Sequence, residues 1–184
     1  VGQYGIFIQY VYGGNVARGE LFNNMVGGNF TSTGIVYGIH INQGYYWNYF
    51  HNTVSIATAT GSSHRALYVT GYMLRTQFKN NTFAINNAKA VNAVAMEITG
   101  NSTLPDSVNY NNYYNAADTS LVLLGAKSYN TTNYQVAYPS GGGGQSVDGD
   151  PYHYSASDLH ASGTQLDNRG DALGVSVDID DDSR

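Results

Sequence analysis

Apolar residues in this chain come in runs of four to seven that alternate with variable positions, and they nowhere recur at three and four over a dozen places. That is the period of a strand, whose successive side chains face opposite ways, and not of an amphipathic helix. Five runs open at a small residue: Gly5-Ile6-Phe7-Ile8, Gly38-Ile39-His40-Ile41, Ala66-Leu67-Tyr68-Val69, Ala95-Met96-Glu97-Ile98 and Ser120-Leu121-Val122-Leu123. A second phrase keeps step with them, an aromatic, one or two polar residues, an asparagine and a return to apolar or aromatic residues. Its copies are Phe22-Asn23-Asn24-Met25-Val26, Phe50-His51-Asn52-Thr53-Val54, Phe78-Lys79-Asn80-Asn81-Thr82-Phe83 and Tyr110-Asn111-Asn112-Tyr113-Tyr114. From Asn24 to Asn52, Asn81 and Asn112 the intervals are 28, 29 and 31 residues, and self-similarity at a period of about 20–50 residues marks a solenoid or array.

Tight hairpins would call for Asn-Gly or Asp-Gly between strands, and the repeat region contains neither. A coil that advances one strand spacing per turn needs no such turn. The expected fold is therefore an all-β solenoid of about five rungs, roughly 24 Å long at about 4.8 Å per rung. Residues 1–125 form the rungs, and residues 126–184 form a terminal coil and an acidic C-terminal segment of the same domain. Asparagine suits each corner, because it tolerates left-handed backbone and its amide can bond to the asparagine above and below. Asn24, Asn52, Asn81 and Asn112 are accordingly expected to form a structural ladder.

The "FHNTV" and "FKNNTF" phrases resemble the rungs of right-handed parallel β-helices of the pectate-lyase-like superfamily. Further on, the series Asn109-Tyr110-Asn111-Asn112-Tyr113-Tyr114, Gln145-Ser146-Val147-Asp148-Gly149-Asp150-Pro151, Asp158-Leu159-His160 and Asp178-Ile179-Asp180-Asp181-Asp182-Ser183-Arg184 is similar to the closing coils of β-helix modules in large secreted proteins of Bacteroidota. In those modules a glycine stands where this chain has Asp181. The resemblance implies a secreted or cell-surface location, export by a type IX route, and a fold that hosts lyases, hydrolases, adhesins and inert spacers alike.

Composition narrows this list. Seventeen tyrosines, 22 glycines, no cysteine and only 11% charged residues suit an extracellular bacterial surface protein better than a cytosolic enzyme. No run reaches the 18 or more apolar residues of a membrane helix, so no membrane insertion is expected. The opening Val1-Gly2-Gln3-Tyr4 starts inside a strand pattern without a signal-peptide pattern, and the chain is expected to be a piece of a longer protein. Charge is divided: up to Pro105 the only acids are Glu20 and Glu97, whereas nine aspartates lie between Asp148 and Arg184. The net charge of −5 argues against nucleic acid as a partner.

Carboxylate poverty also bears on catalysis. Glycoside cleavage needs two carboxyls across one bond, and calcium-dependent lyases need a carboxylate cluster beside a base. The sharpest enzymatic candidates are Glu97, His40 and Arg65, and no catalytic residue is assigned. The cluster Tyr45-Tyr46-Trp47-Asn48-Tyr49-Phe50 contains the only tryptophan, and Tyr45, Tyr46, Trp47 and Tyr49 are the candidate glycan-stacking residues. Asp178, Asp180 and Asp182 alternate, so an extended segment would put three carboxylates on one side for a hard cation. Calcium there is the one cofactor considered. Sequons at Asn29, Asn80, Asn101 and Asn130 would matter in a glycosylating host, and Ser140-Gly141-Gly142-Gly143-Gly144 reads as a flexible loop.

The function expected from sequence is a non-catalytic module of a secreted or surface-exposed bacterial protein, a stalk or adhesin segment in contact with a polysaccharide or surface glycan. The alternatives are a fragment of a polysaccharide lyase or glycoside hydrolase, and a self-associating extracellular filament subunit.

Overall fold

A computed structural model describes residues 2–28, 30–57, 63–99, 104–130, 133 and 144–183. The sequons at Asn29 and Asn101 and most of the glycine loop at 140–144 lie outside the described residues. Coil one holds β1 (Gln3–Tyr12), β2 (Gly19–Phe22) and β3 (Met25–Val26); coil two holds β4 (Val36–Tyr45), β5 (Trp47–Phe50) and β6 (Thr53–Ile56). Coil three holds β7 (Arg65–Leu74), β8 (Gln77–Lys79) and β9 (Thr82–Ile85), and coil four β10 (Val94–Ile98), β11 (Ser107–Asn109) and β12 (Asn112–Asn115). Strands of like position pair in parallel, so sheet A begins β1-β4-β7-β10, sheet B is β2-β5-β8-β11 and sheet C is β3-β6-β9-β12. The protein is an all-β parallel solenoid of about four turns.

The fifth rung stops after its first strand. β13 (Val122–Leu124) extends sheet A in parallel beside β10, and then β14 (Lys127–Tyr129) runs back antiparallel along it. Gly125 makes the reversal at φ 63°, a conformation glycine adopts without the steric cost of a Cβ. Gly-Ala does here what an Asn-Gly pair does in other hairpins.

The interior is filled by the inward residues of all three sheets, among them Ile39, Ile41 and Leu67 from A, Tyr49 and Phe78 from B, and Val54, Phe83 and Tyr113 from C. Burying each such aliphatic side chain contributes about 1.5–3 kcal/mol. The small residue opening each run is explained by sheet A's approach to sheet C. A Cβ on Gly38 would lie 2.1 Å from Val54 Cγ1, and one on Gly5 2.3 Å from Val26 Cγ1. Ala66 and Ala95 hold the same position in the next coils, both fully buried.

One corner carries the asparagine column. Asn24 Nδ2 donates to Asn52 Oδ1 (2.8 Å), Asn52 Nδ2 to Asn81 Oδ1 (3.0 Å) and Asn81 Nδ2 to Asn111 Oδ1 (2.9 Å). The backbone N–H groups of Asn24, Asn52 and Asn81 donate to the same oxygens. The fourth member is thus Asn111 and not Asn112, which pairs one place on with Thr82 in sheet C. The left-handed bend also sits one residue earlier than expected, at Asn23, His51, Asn80 and Tyr110, with φ between 53° and 57°. Two tasks therefore fall to two adjacent residues: one turns the chain, and the next satisfies backbone donors that the turn would otherwise bury unpaired.

The C-terminal segment packs back along this corner. Val147 bridges Asn112, Asn112 Nδ2 donates to Gly149 O (3.0 Å), and Asn80 exchanges two hydrogen bonds with the Asp171 backbone (2.7 and 2.8 Å). Lys79 Nζ meets Asp171 Oδ2 at 2.8 Å, and Asn23 Nδ2 donates to Val177 O at 2.9 Å. A strap with isolated bridges and a short 3₁₀ turn at Thr164–Leu166 thus returns from coil four to coil one.

Candidate functional site

Strand alternation slips by one place in sheet A, because the neighbours Gly38 and Ile39 are both buried. Tyr37 and His40 therefore emerge on the same outer face, as do Tyr4 with Phe7 and Arg65 with Tyr68 in the strands beside them. The result is a contiguous group of rings. Tyr4 stacks on Tyr37 (5.3 Å, 14°), Tyr37 on Tyr68 (4.7 Å, 26°), and His40 lies 4.9 Å from both Phe7 and Tyr68. Tyr4 and Phe7 are 47% and 49% exposed, and Tyr37, His40 and Tyr68 are half-buried between their neighbours. Beside the rings runs a polar column, Gln9, Asn42 and Thr70, held in register by the same strand pairing.

The electrostatics of this face are nearly neutral. Arg65 Nε donates to Glu97 Oε2, and Arg65 Nη1 donates to the carbonyls of His64 (3.0 Å) and Asn92 (2.7 Å), so the charge is paired and three of the five guanidinium N–H groups are engaged. Burial lowers the His40 imidazole from its ordinary value, which leaves it uncharged at neutral pH, and its Nε2 lies 3.4 Å from Thr70 Oγ1. Burial raises the phenols of Tyr37 and Tyr68, reinforced at Tyr37 first by the neighbouring tyrosines and at Tyr68 first by Glu97, so their hydroxyls stay protonated.

The three enzymatic candidates from sequence therefore do share a face. Glu97 neighbours Tyr68 in register, and Arg65 is bound to Glu97. The other early acid, Glu20, is in sheet B, where Asn48 Nδ2 approaches its Oε1 at 3.4 Å. The two glutamates thus occupy different sheets and cannot flank one glycosidic bond in the way acid–base hydrolysis requires.

The expected aromatic platform at residues 45–49 is divided by the corner between β4 and β5. Tyr49 is 2% exposed and stacks on Phe78 inside the solenoid (4.5 Å, 7°), which withdraws it from any ligand. Burial raises its phenol well above the usual range. Trp47 lies over Gly19, whose missing side chain makes room for the indole, and packs against the core. Tyr46 occupies the left-handed corner at φ 58°. Only Tyr45 faces outward with a partner, stacking on Tyr12 (4.9 Å, 7°) and accepting from Gln43 Nε2 (3.0 Å).

The acidic end is a turn and not an extended segment. Asp178 Oδ1 accepts the backbone N–H of Asp180 (2.9 Å) and of Asp182 (3.0 Å), and Asp181 takes φ 65°. Asp180 Oδ2 contacts His160 Nε2 at 2.5 Å, while His160 Nδ1 contacts Asp158 Oδ1 at 2.6 Å. The Asp178 carboxylate is therefore engaged by backbone N–H groups and that of Asp180 by His160, and no cluster of three or more potential metal ligands occurs among the described residues. The carboxylate pair raises the His160 imidazole, with Asp158 the larger cause, and His160 lowers Asp158 in return.

Sequence reasoning missed Tyr4, Phe7, Tyr37 and Tyr68 as a group. The signal was present: an aromatic stands just before the small residue in the first two runs (Tyr4, Tyr37) and at the third place in the first and third (Phe7, Tyr68). No family model, curated protein or solved structure matches the chain.

Proposed function

We propose that this protein is a non-catalytic solenoid module of a secreted or cell-surface bacterial protein, serving as a stalk or adhesin segment that contacts glycans through the outer face of sheet A. One observation carries the reading: Tyr4, Phe7, Tyr37, His40 and Tyr68 form one ring array beside the Gln9, Asn42 and Thr70 column. Sugar rings offer apolar C–H faces to aromatics and hydroxyls to amides, so this mixture suits them. Because the ion pair on the face is internally satisfied and His40 is uncharged, neutral glycans fit better than uronate polymers. Kinship with the pectate-lyase-like superfamily and with Bacteroidota surface proteins remains part of this proposal, supported by the repeat phrases quoted above.

A glycan array read in calcium and in chelator, beside a depolymerisation assay, tests it. Retention on neutral glycans that is unaffected by chelator and is lost in Tyr4→Ala and Phe7→Ala, with unchanged melting, is the expected result. Retention that is indifferent to these substitutions overturns the site. New reducing or unsaturated ends, abolished by Glu97→Gln, overturn the non-catalytic reading.

A further inference from the structure

The strap does not lie flat against sheet C. On the outer side of that sheet Ser55, Ala84 and Tyr114 stand in one column across β6, β9 and β12. Beside the small side chains of this column, a hollow of about 350 Å³ separates the sheet from strap residues 150–156. That volume is at the small end of ligand cavities, which run from roughly 300 to 1,000 Å³, and suits one ring rather than a polymer.

The walls are polar and held in place. Asp150 Oδ1 accepts the Tyr152 N–H (2.9 Å), Asp150 O accepts from Gln165 Nε2 (2.9 Å), and Ser162 Oγ donates to Tyr152 O (2.7 Å), so the turn that carries the carboxylate is fixed on both sides. Burial, then a hydrogen bond to Asp150, raises the Tyr114 phenol, which stays protonated and meets the carboxylate from the sheet. Tyr152 takes φ 48°, a conformation few bulky residues adopt, and its ring is 57% exposed beside the hollow. Asn86 Nδ2 donates to Ser55 Oγ (2.8 Å), and Asn86 Oδ1 receives no donor among the described residues. Asp150 is the one charge lining the hollow among the described residues, because burial lowers the His153 imidazole and keeps it neutral.

This donor and acceptor set selects its ligand. A carboxylate only accepts, and it accepts hydroxyl donors more strongly than a neutral oxygen does. A second carboxylate brought beside it would be repelled. The open face of a phenol ring suits an apolar C–H face. We propose that the hollow between sheet C and the strap is a binding pocket for a single neutral sugar ring, with adjacent hydroxyls donating to Asp150 and a C–H face against Tyr152. Asn86 Oδ1 takes a further hydroxyl. The pocket lies apart from the ring array on sheet A and stands whether or not that array holds a glycan.

Titration of the full chain with the methyl glycosides of glucose, galactose and mannose and of their uronic acids, followed by amide chemical shifts, tests the pocket. The expected result is saturable shifts at residues 55–57, 86 and 150–156 with at least one neutral glycoside, and at least fivefold weaker binding of its uronate. Asp150→Asn keeps an oxygen for the Tyr152 N–H, and Tyr152→Asn tolerates the left-handed backbone. Each should melt within a few degrees of the parent and weaken binding at least tenfold. Tyr4→Ala and Phe7→Ala should leave this titration unchanged, so the pocket and the sheet A site fail separately. No saturable shift with any of the three neutral glycosides, tighter binding of a uronate, or unchanged binding in either variant that melts with the parent overturns the proposal.

Discussion

Replacing Asn81 by alanine removes the centre of the ladder. Asn81 is 1% exposed; its Nδ2 donates to Tyr49 O (2.9 Å) and Asn111 Oδ1 (2.9 Å), and its Oδ1 accepts from Asn52 N (2.9 Å) and Asn52 Nδ2 (3.0 Å). Not every bond counts equally. Asn52 Nδ2 keeps Leu21 O (2.9 Å), and Asn111 Oδ1 keeps the Asn81 N–H (3.0 Å). The Asn52 backbone N–H keeps none of its side-chain acceptor, and a buried orphan donor costs about 1–3 kcal/mol. With the weakened neighbours and the small void, the loss comes to about 3–4 kcal/mol. For a chain of this length that is roughly 6–16 °C in melting temperature. Asn24→Ala strands no donor of another residue and should cost about 1 kcal/mol. Asn111→Ala should exceed Asn112→Ala, whose Nδ2 makes one bond, to Gly149 O. Urea unfolding followed by circular dichroism and by the single Trp47 measures all four. An Asn81→Ala loss below about 1 kcal/mol, or an Asn24→Ala loss equal to it, would refute the ladder as the stabilising device.

Three further outcomes follow from particular contacts. The Tyr49 hydroxyl is buried without a hydrogen-bond partner among the described residues, so Tyr49→Phe should be neutral or stabilising by up to about 1 kcal/mol, whereas Tyr49→Ala should lose about 3–5 kcal/mol; chemical denaturation distinguishes them, and a costly Tyr49→Phe would reveal a missed partner. His160 can donate to both Asp158 and Asp180 only as an imidazolium. Its value is raised in the folded chain, so its contribution is complete below the ordinary 6.5 and fades as pH rises through the raised value. Asp158 is lowered, so its contribution holds above the ordinary 3.8 and fades as pH falls through the lowered value. Amide protection at residues 178–182, taken relative to the intrinsic exchange rate at each pH, should therefore be greatest between those limits, and the same protection profile in His160→Ala and the parent would contradict the clasp. Finally, Asn80→Gly removes both bonds to the Asp171 backbone while keeping the left-handed corner at φ 57° free of strain. Proteolysis within residues 163–177 should accelerate severalfold with a melting change of only a few degrees, and unchanged cleavage would show that the strap is held elsewhere.

Sequence alone determined that this is a coiled parallel β chain, because a 28–31-residue period and two-residue alternation leave an individual coil no way to bury its apolar face except against the next one. It also determined Asn24, Asn52 and Asn81 as corner residues, since an amide both accepts and donates along a stack and tolerates the bend beside it. Tertiary structure decided the rest. Whether Asn111 or Asn112 completes the column depends on register, which adjacent asparagines leave open in sequence but which strand pairing with Thr82 resolves. Likewise, Tyr49 and Tyr45 lie four residues apart in one aromatic cluster, yet a left-handed corner at Tyr46 sends one inside and leaves the other outside. The outer ring array escaped the linear reading for the same physical reason: Tyr4, Tyr37 and Tyr68 lie about 30 residues apart and become neighbours only when the coils stack.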